Sequence, residues 1–265
     1  MAYFPQLSTD CLAQYPTRRV SGHRTVTNET PGGALVLGTD PEARAMEWEL
    51  AYAGLTEGEA AALRSLFEEC EGSLQPFVFP DPAGNLLARS EEFTLVPWSS
   101  SPLLQWTGNI ADPLGTTRAS RATNNGAIAQ SVEQSIDCPG SRTLCFSVWA
   151  RSPQAVSIVL RRSAGAESHS EVLLVGPSWK RWQLSGDLNT SAAPVKFSVE
   201  IPAGATVDVF GAQAEPQHAA SDYRKTAQQS GVYSQAHFAQ DELTLTADGW
   251  QSYSTRLQIH AQIGG

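Results

Sequence analysis

Residues 48–82 read WELAYAGLTEGEAAALRSLFEECEGSLQPFVFPDP, and this stretch decides the fold of the chain around it. At its start two sets of residues alternate, Met46, Trp48, Leu50 and Tyr52 against Glu47, Glu49 and Ala51. A hydrophobic period of two predicts a β-strand that buries one face. The chain therefore enters this stretch as a strand.

A helix follows directly, because Thr56 and Glu59 form the S/T-x-x-E pattern of a capping box. Apolar residues then recur at helical spacing and form one stripe, Ala60, Leu63, Leu66, Phe67 and Cys70. Gly72 is predicted to be the left-handed C′ residue that ends the helix. Residues 76–82, PFVFPDP, predict a short strand stopped by prolines. The whole stretch is predicted to be a strand, a capped helix and a second strand.

From about residue 85 the pattern changes to short alternating runs separated by Gly, Pro, Asn and Asp. Examples are CFSVWAR at 145–151 and VKFSVEIP at 195–202. Several such strands at intervals of about ten residues are typical of a β-sandwich or jelly roll. We predict this fold for residues 85–224.

The end of the chain predicts a hairpin about an Asp248-Gly249 turn, followed by one long strand. The strand buries one face, Tyr253, Thr255, Leu257, Ile259, Ala261 and Ile263. Such a strand needs a sheet to join, and residues 1–84 have too few strands to close a core alone. The predicted fold is therefore mainly β, with a discontinuous domain of one helix (1–84 and 225–265) that is interrupted by the sandwich (85–224). The alternative is three small sequential modules.

Composition excludes several classes of protein. The net charge is −9 with no cluster of Lys and Arg, which weighs against nucleic-acid binding. The start MAYFPQLSTD lacks the features of a signal peptide, and no apolar run is long enough to span a membrane. We expect synthesis in a cytoplasm. The four cysteines form no C-x-x-C pair, so we predict buried free thiols. The alternative for Cys138 and Cys145, which flank a Pro-Gly turn, is that the two lie near each other across this connection.

Motifs of known catalytic chemistry are missing from the sequence, including G-x-S-x-G, H-E-x-x-H and the P-loop. The nearest approach to a metal site is Glu167-Ser-His169-Ser-Glu171, which we interpret as a solvated strand or the tip of a loop. We therefore predict no enzyme activity, no catalytic residue, no metal and no cofactor.

Aromatic residues are the remaining candidates for a binding site, because a sugar stacks its apolar face on an aromatic ring. The predicted sandwich contains Trp98, Trp106, Trp149, Trp179, Trp182 and Tyr223. Trp149 lies on the opposite strand face from Phe146 and Val148, so it points outward or packs under a loop. The predicted carbohydrate-binding residues are Trp98, Trp106, Trp149 and Trp182.

The stretch 48–82 resembles a pattern of tail components: an aromatic strand, LT-x-x-E-A, an apolar helix, a Gly and a Phe-x-Phe-x-Asp-Pro strand. It is similar to the distal tail and tail-hub proteins of long-tailed phages and gene-transfer agents. Gly72-Ser73 stands where that family usually has Gly-Arg.

The inserted segment resembles the carbohydrate-binding-type jelly rolls of phage tail proteins. The matching motifs, in chain order, are NLLARSEEF with Trp98, CFSVWAR, WKRW at 179–182 and GAQAEPQHAASDYRKT at 211–226.

The first resemblance implies a closed ring of identical subunits, commonly a hexamer, that joins the tail tube to the hub and baseplate. The ring interface is then heterologous, and the sandwich projects outward to host glycans or neighbouring proteins. The chain is expected in the tail tip of a virion, without specific nucleic-acid binding or membrane insertion. Alternatives are a carbohydrate-binding adhesin or receptor-binding tail protein without a ring, and an accessory module or cell-wall hydrolase.

Overall fold

The computed structural model describes residues 1–263, without the side chains at positions 41 and 42. The chain divides into two compact units. Unit 1 consists of Met1–Phe79 and Tyr233–Gly265, and unit 2 of Pro80–Val232. The two borders predicted from the sequence, 84/85 and 224/225, lie within eight residues of these positions.

Strands alternate with loops along most of the chain. Before unit 2 the elements are β1 (Ala2–Tyr3), β2 (Arg18–Glu29), β3 (Leu35–Leu55), α1 (Glu57–Glu69) and β4 (Phe77–Pro80). Unit 2 contributes β5 (Ser99–Ser100), β6 (Leu104–Ile110), β7 (Ala119–Asn124), β8 (Gln130–Ile136), β9 (Leu144–Arg151), β10 (Val156–Ala164), β11 (Glu167–Val175), β12 (Lys180–Gly186), β13 (Val195–Ile201) and β14 (Thr206–Glu215). The chain ends with β15 (Val232–Phe238), β16 (Thr246–Gly249) and β17 (Ser252–Gln262).

Unit 1 is built on one seven-stranded sheet. Its order is β1-β4-β15-β17-β3-β2, and β16 pairs with β17. The strand from the C-terminal segment thus lies between β15 and β3, with Ile259 opposite Trp48. Trp48 is 1% exposed and its ring contacts Phe79 and Tyr233 at centroid distances of 4.9 and 4.7 Å. Residues from both ends of the chain therefore share one core.

Helix α1 begins as predicted. Thr56 is the N-cap, and the reciprocal bonds of the capping box with Glu59 are both present. The end of the helix corrects the prediction for Gly72. Glu71 is the left-handed residue after the C-cap Cys70, and Gly72 follows it with a φ of 69°. The Gly72 amide donates to the Phe67 carbonyl and the Glu71 amide to the Glu68 carbonyl, which is the bond pattern of a Schellman motif.

The closing hairpin turns two residues later than predicted. Gly249 still belongs to β16, and the turn is formed by Trp250 and Gln251, of which Gln251 has a φ of 54°. Trp250 is 92% exposed at this tip. The side chains of Thr255, Leu257, Ile259, Ala261 and Ile263 are buried, as the alternation predicts. Tyr253, the first residue of the predicted face, is only half-buried.

The long hairpin of β2 and β3 is only partly predicted from the sequence, because the alternating pattern of β3 begins near residue 45. The structure extends it to a two-stranded ribbon, here named the arm, which comprises residues 24–40. Nearly every side chain of the arm is exposed. Residues 24–40 do not predict a ribbon, because they lack the alternation of a half-buried strand.

Unit 2 is a β-sandwich of the jelly-roll class. One five-stranded sheet has the order β11-β10-β13-β8-β5, and the other has the order β12-β9-β14-β7-β6. All of their strand pairs are antiparallel. Apolar residues from the two inner faces form one core. Within residues 1–263, no helix combines the length and apolarity that crossing a bilayer requires.

Candidate functional site

Trp98 and Trp106 belong to the core side of unit 2. Phe93 lies between them, 5.0 Å from the Trp98 ring and stacked at 5.7 Å on the Trp106 ring. Trp98 is 5% exposed and its indole donates to the Arg89 carbonyl at 2.9 Å. Because protein covers its ring, Trp98 offers no face to a sugar, and its assignment as a binding residue is corrected. Trp106 is half-buried.

Trp149 lies on the outer face of its sheet, whereas Phe146 and Val148 lie on the inner face, as predicted. Its ring is nevertheless covered by other side chains. The Arg181 guanidinium lies 4.4 Å from its ring centroid, and Tyr223 packs edge-on at 5.3 Å. A Cβ at Gly211 would meet the ring at 3.0 Å, so glycine is required there for the approach of the backbone. Trp149 thus packs under the segment that contains Tyr223, which is the second of the two predicted placements.

Trp182 and Trp179 lie at the edge strand β12 or just before it. Trp182 is opposite Val148 on the inner face and packs partly against the core. The Lys180 ammonium lies 3.8 Å from its ring centroid. Trp179 is half-buried, donates to the Ala111 carbonyl at 3.2 Å and carries the Arg151 guanidinium 4.8 Å from its ring.

The four predicted tryptophans do not form one surface. Trp106 and Trp182 belong to the two edge strands of one sheet, about 19 Å apart at a strand spacing of about 4.8 Å. Trp149 lies on the other face of that sheet, where its cross-strand neighbours are Phe210 and Arg181. The sequence could not separate these positions, since each depends on which strands become neighbours.

The outer face of the other sheet carries hydroxyl groups and ion pairs. Arg161 pairs with Glu200 at 2.5 Å and Lys196 with Glu133 at 3.2 Å. The remaining outward positions on β8, β10 and β13 are Val159 and a group of serines, Ser131, Ser135, Ser157, Ser163 and Ser198. Among the described strands of this sheet, no outward position is aromatic. A sugar-stacking platform is therefore not formed on this face.

A buried carboxylate, missed by the sequence reasoning, fixes the segment that covers Trp149. Glu91 is 6% exposed and its oxygens accept from Arg118 at 2.9 Å, Lys225 at 2.7 Å and the Tyr223 hydroxyl at 3.1 Å. Burial raises the pKa of Tyr223, so the phenol stays protonated and donates. The sequence signal was Tyr223 in the SDYRKT motif. The arrangement is that of a structural clamp.

The other titratable side chains of the described residues do not form a metal-binding cluster. Over residues 1–263, no set of three or more His, Cys, Asp and Glu side chains is placed to hold a metal ion. His169 and its flanking glutamates lie exposed on edge strand β11. All four cysteines are free; Cys138 and Cys145 are buried, and burial raises the pKa of each thiol to about 12.

Unit 1 has a groove that sequence reasoning also missed. It has a volume of 670 Å³ and lies over β3 and β17, between the Gln14–Pro16 loop and the segment before β17. Its floor includes Ala51 and Ala53, and its rim carries Tyr15, which is 67% exposed. The small floor residues leave the space open.

Comparisons with solved structures find similar folds at low identity, among them carbohydrate-binding modules and a tailspike domain. No family model and no curated protein matches this chain. The enzymatically active domain of bacteriophage CBA120 tailspike protein 4 is 16% identical with a TM-score of 0.41, over 51% of this chain and 22% of that chain. This chain thus spans about a fifth of the tailspike chain.

Two similar structures are carbohydrate-binding modules from Clostridium thermocellum. The C-terminal family 22 module of Xyn10B is 14% identical with a TM-score of 0.43, over 54% of this chain and all of the module (100%). A family 11 module in complex with a β-1,3-1,4-mixed-linked tetrasaccharide is 12% identical with a TM-score of 0.38, over 51% of this chain and 97% of that chain. No residue role is transferred from these proteins.

Proposed function

We propose that this chain is a non-enzymatic structural component of a phage-type tail tip, in which unit 1 forms a homo-oligomeric ring, a hexamer, and unit 2 projects outward. The observation that carries the proposal is the fold of residues 48–82. This stretch, which resembles distal tail proteins, becomes β3, the capped helix α1 and β4 in a sheet that β17 completes. Residues 48–79 of this pattern lie in unit 1, and the last three residues of the pattern begin unit 2.

The proposed partners are the tail tube on one side of the ring and the hub or baseplate on the other. The proposed location is the tip of the tail in the virion, after synthesis in the bacterial cytoplasm. Neither nucleic acid nor membrane is a proposed partner, in keeping with the net charge of −9.

Mass photometry of the purified full-length chain tests the ring. The expected result is one closed species with the mass of six chains of 28.5 kDa, seen as rings in negative stain. A chain that stays monomeric over the whole accessible concentration range contradicts the ring. Hydrolysis of a host polysaccharide that a single carboxylate change abolishes contradicts the non-enzymatic role.

The second candidate is glycan binding by unit 2, either beside the ring function or as a separate adhesin. The observation that favours it is two half-buried indoles near the edge strand, Trp179 just before β12 and Trp182 within it, each with a cationic side chain near its ring. Aromatic faces beside polar groups suit sugar rings.

Glycan-array binding of the chain and of its tryptophan variants tests the second candidate. We expect Trp182→Ala to weaken any binding at least tenfold, because one stacked ring contributes about 1.5 kcal/mol. The matched control is Trp250→Ala in unit 1, a position with no place in this site. The tryptophan assignment is wrong if a folded triple variant, Trp106→Ala/Trp149→Ala/Trp182→Ala, still binds the glycan as the wild type does.

A further inference from the structure

The arm exposes apolar side chains that no described residue of the chain covers. Val26, Leu35, Val36 and Leu37 are 41%, 65%, 52% and 67% exposed. A two-stranded ribbon without a third strand or a packed face is only marginally stable in water. Apolar residues on both faces of such a ribbon indicate a surface that another protein covers.

The groove of unit 1 presents apolar surface on one side. Tyr15 and Pro16 form one side, and Ala51 and Ala53 form part of the floor. A second hollow of 320 Å³ continues it and shares Pro16, Ala51 and Arg256. The opposite wall is polar and is lined by Thr244, Thr246 and Ser254.

The arm cannot fill the groove of its own chain. Both belong to β3, but the arm ends at Asp40 and the groove begins at Ala51, eleven residues farther along. A straight strand would span roughly 36 Å at about 3.3 Å per residue, and the register shift of β3 after Asp40 shortens this distance. The apolar residues Leu35, Val36 and Leu37 lie farther out on the arm than Asp40. A projection and a recess at opposite ends of one strand suit a heterologous, head-to-tail contact between copies, which closes into a ring when the rotation per subunit allows it.

One pair of opposite charges is available between the two surfaces. Glu29 is the only ionisable side chain between Thr25 and Thr39, so the distal arm is singly negative. Arg256 is the only cation that lines the groove, and Glu242 is the other charged residue there. Arg256 is exposed and makes no ion pair with a carboxylate among the described side chains.

We propose that the arm of one copy docks into the groove of the next copy, with Glu29 at Arg256 and the arm leucines on Tyr15 and Pro16. The inference rests on the proposed ring and names the surfaces that form it. Each subunit then gives one arm and receives one. The interface is continuous around the ring.

A charge swap in the full-length protein tests the contact by mass photometry across a concentration series. Glu29→Arg alone and Arg256→Glu alone place like charges together, so each is expected to raise the concentration for half-assembly at least tenfold. The double variant Glu29→Arg/Arg256→Glu restores opposite charges at every interface. We expect it to assemble within about threefold of the wild-type concentration.

A matched control is Glu167→Arg, which makes the same charge change at an exposed position of β11 in unit 2 and is expected to leave assembly unchanged. Leu35→Thr/Leu37→Thr tests the apolar part and is also expected to weaken assembly. If a charge-reversed variant loses its folded circular-dichroism spectrum, Glu29→Gln and Arg256→Gln replace it, with a smaller expected loss.

The outcomes separate the two proposals. A wild-type ring whose assembly is unchanged in both single variants and in the leucine variant overturns the arm contact and leaves the ring standing. A wild-type chain that is monomeric overturns both. A monomer whose arm instead binds a different tail protein overturns the self-contact and identifies that protein as the occupant.

Discussion

Arg162 lies between the two sheets of unit 2 with none of its side chain exposed. Its guanidinium donates to the Leu144 carbonyl at 3.1 Å, to the Gly186 carbonyl and to the Asp187 carbonyl at 2.6 Å. Burial lowers the pKa of this group, and Asp187 opposes that effect. Because Arg162 is in β10 while Leu144 and Gly186 are in β9 and β12, the bonds tie one sheet to the other.

Arg162→Met is expected to lower the free energy of unfolding by about 2–4 kcal/mol, since it removes the donor from one buried and two part-buried carbonyls. The neighbouring Arg161→Met is the control. Arg161 is 37% exposed and its ion pair with Glu200 contributes less than about 1 kcal/mol. Urea unfolding of both variants measures the difference. Equal stabilities would mean that the buried hydrogen bonds give no net gain over a methionine.

Asp112 organises the connection between β6 and β7 and makes stability depend on pH. It accepts from the amides of Leu114, Thr116 and Arg118 at 2.8, 3.1 and 3.1 Å. Burial raises the pKa of this carboxyl, but the hydrogen bonds outweigh it and hold the pKa at about 2 instead of 3.8. A depressed pKa gives stability that is complete above the unfolded value and is lost as pH falls through the folded one.

Asp112→Asn is therefore expected to be less stable than the wild type at neutral pH, by about 1–3 kcal/mol. The difference should shrink as pH falls from about 4 to about 2, because the wild-type carboxylate becomes protonated there. Urea midpoints at a series of pH values measure this. A gap that stays constant down to the lowest pH would show that the charge of Asp112 contributes nothing.

Helix α1 depends on a cap that also fastens the N-terminal segment. The Thr56 hydroxyl accepts from the Glu59 amide at 3.3 Å, and the Glu59 carboxylate accepts from the amides of Thr56 and Ser8 at 2.8 Å each. Burial opposes ionisation, yet these bonds lower the pKa of Glu59. The cap thus joins Ser8 to the start of the helix.

Thr56→Ala is expected to cost about 1 kcal/mol of stability, because one amide of the first turn loses its acceptor. Thr56→Ser keeps the hydroxyl and serves as the control, with an expected change of a few tenths of a kcal/mol. Thermal unfolding followed by circular dichroism compares the two. If serine and alanine destabilise equally, the loss comes from the methyl group and the cap explanation fails.

The whole molecule has one compact unit inserted into another. β17 completes the sheet of unit 1, with Leu257 opposite Leu50 and Ile259 opposite Trp48. Phe79 and Tyr233, the two points where unit 2 departs and returns, both contact the Trp48 ring. The chain ends at the insertion are therefore close together, which is where inserted domains are tolerated.

Residues 1–79 joined to 233–265 by a short Gly/Ser linker are expected to fold with Trp48 in a buried environment, whereas residues 1–79 alone are not. The reason is that the fragment lacks β17, which covers Leu50 and Trp48. The fluorescence of Trp48 reports the burial; the joined protein carries Trp250→Phe, so that Trp48 is the tryptophan observed in both proteins. A cooperatively folded 1–79 fragment would favour sequential modules over the discontinuous domain.

The sequence determined the features that depend on neighbours a few residues away. The capping box of Thr56 and Glu59 forms within one helical turn, and the alternation in β3 and β17 repeats at every second residue. The fold class, mainly β with one helix and a sandwich, followed from these local periods. Such interactions are complete within the stretch that encodes them.

Only the tertiary structure decided which side chains are covered. Trp98, Trp149 and Trp250 are the same residue type but have different surroundings. Trp98 packs beside Phe93, Trp149 is enclosed by Arg181 and Tyr223, and Trp250 is 92% exposed. The arm and the groove likewise depend on where β3 gains and loses its partner strands. Burial is set by residues distant in sequence, and no local period encodes those partners.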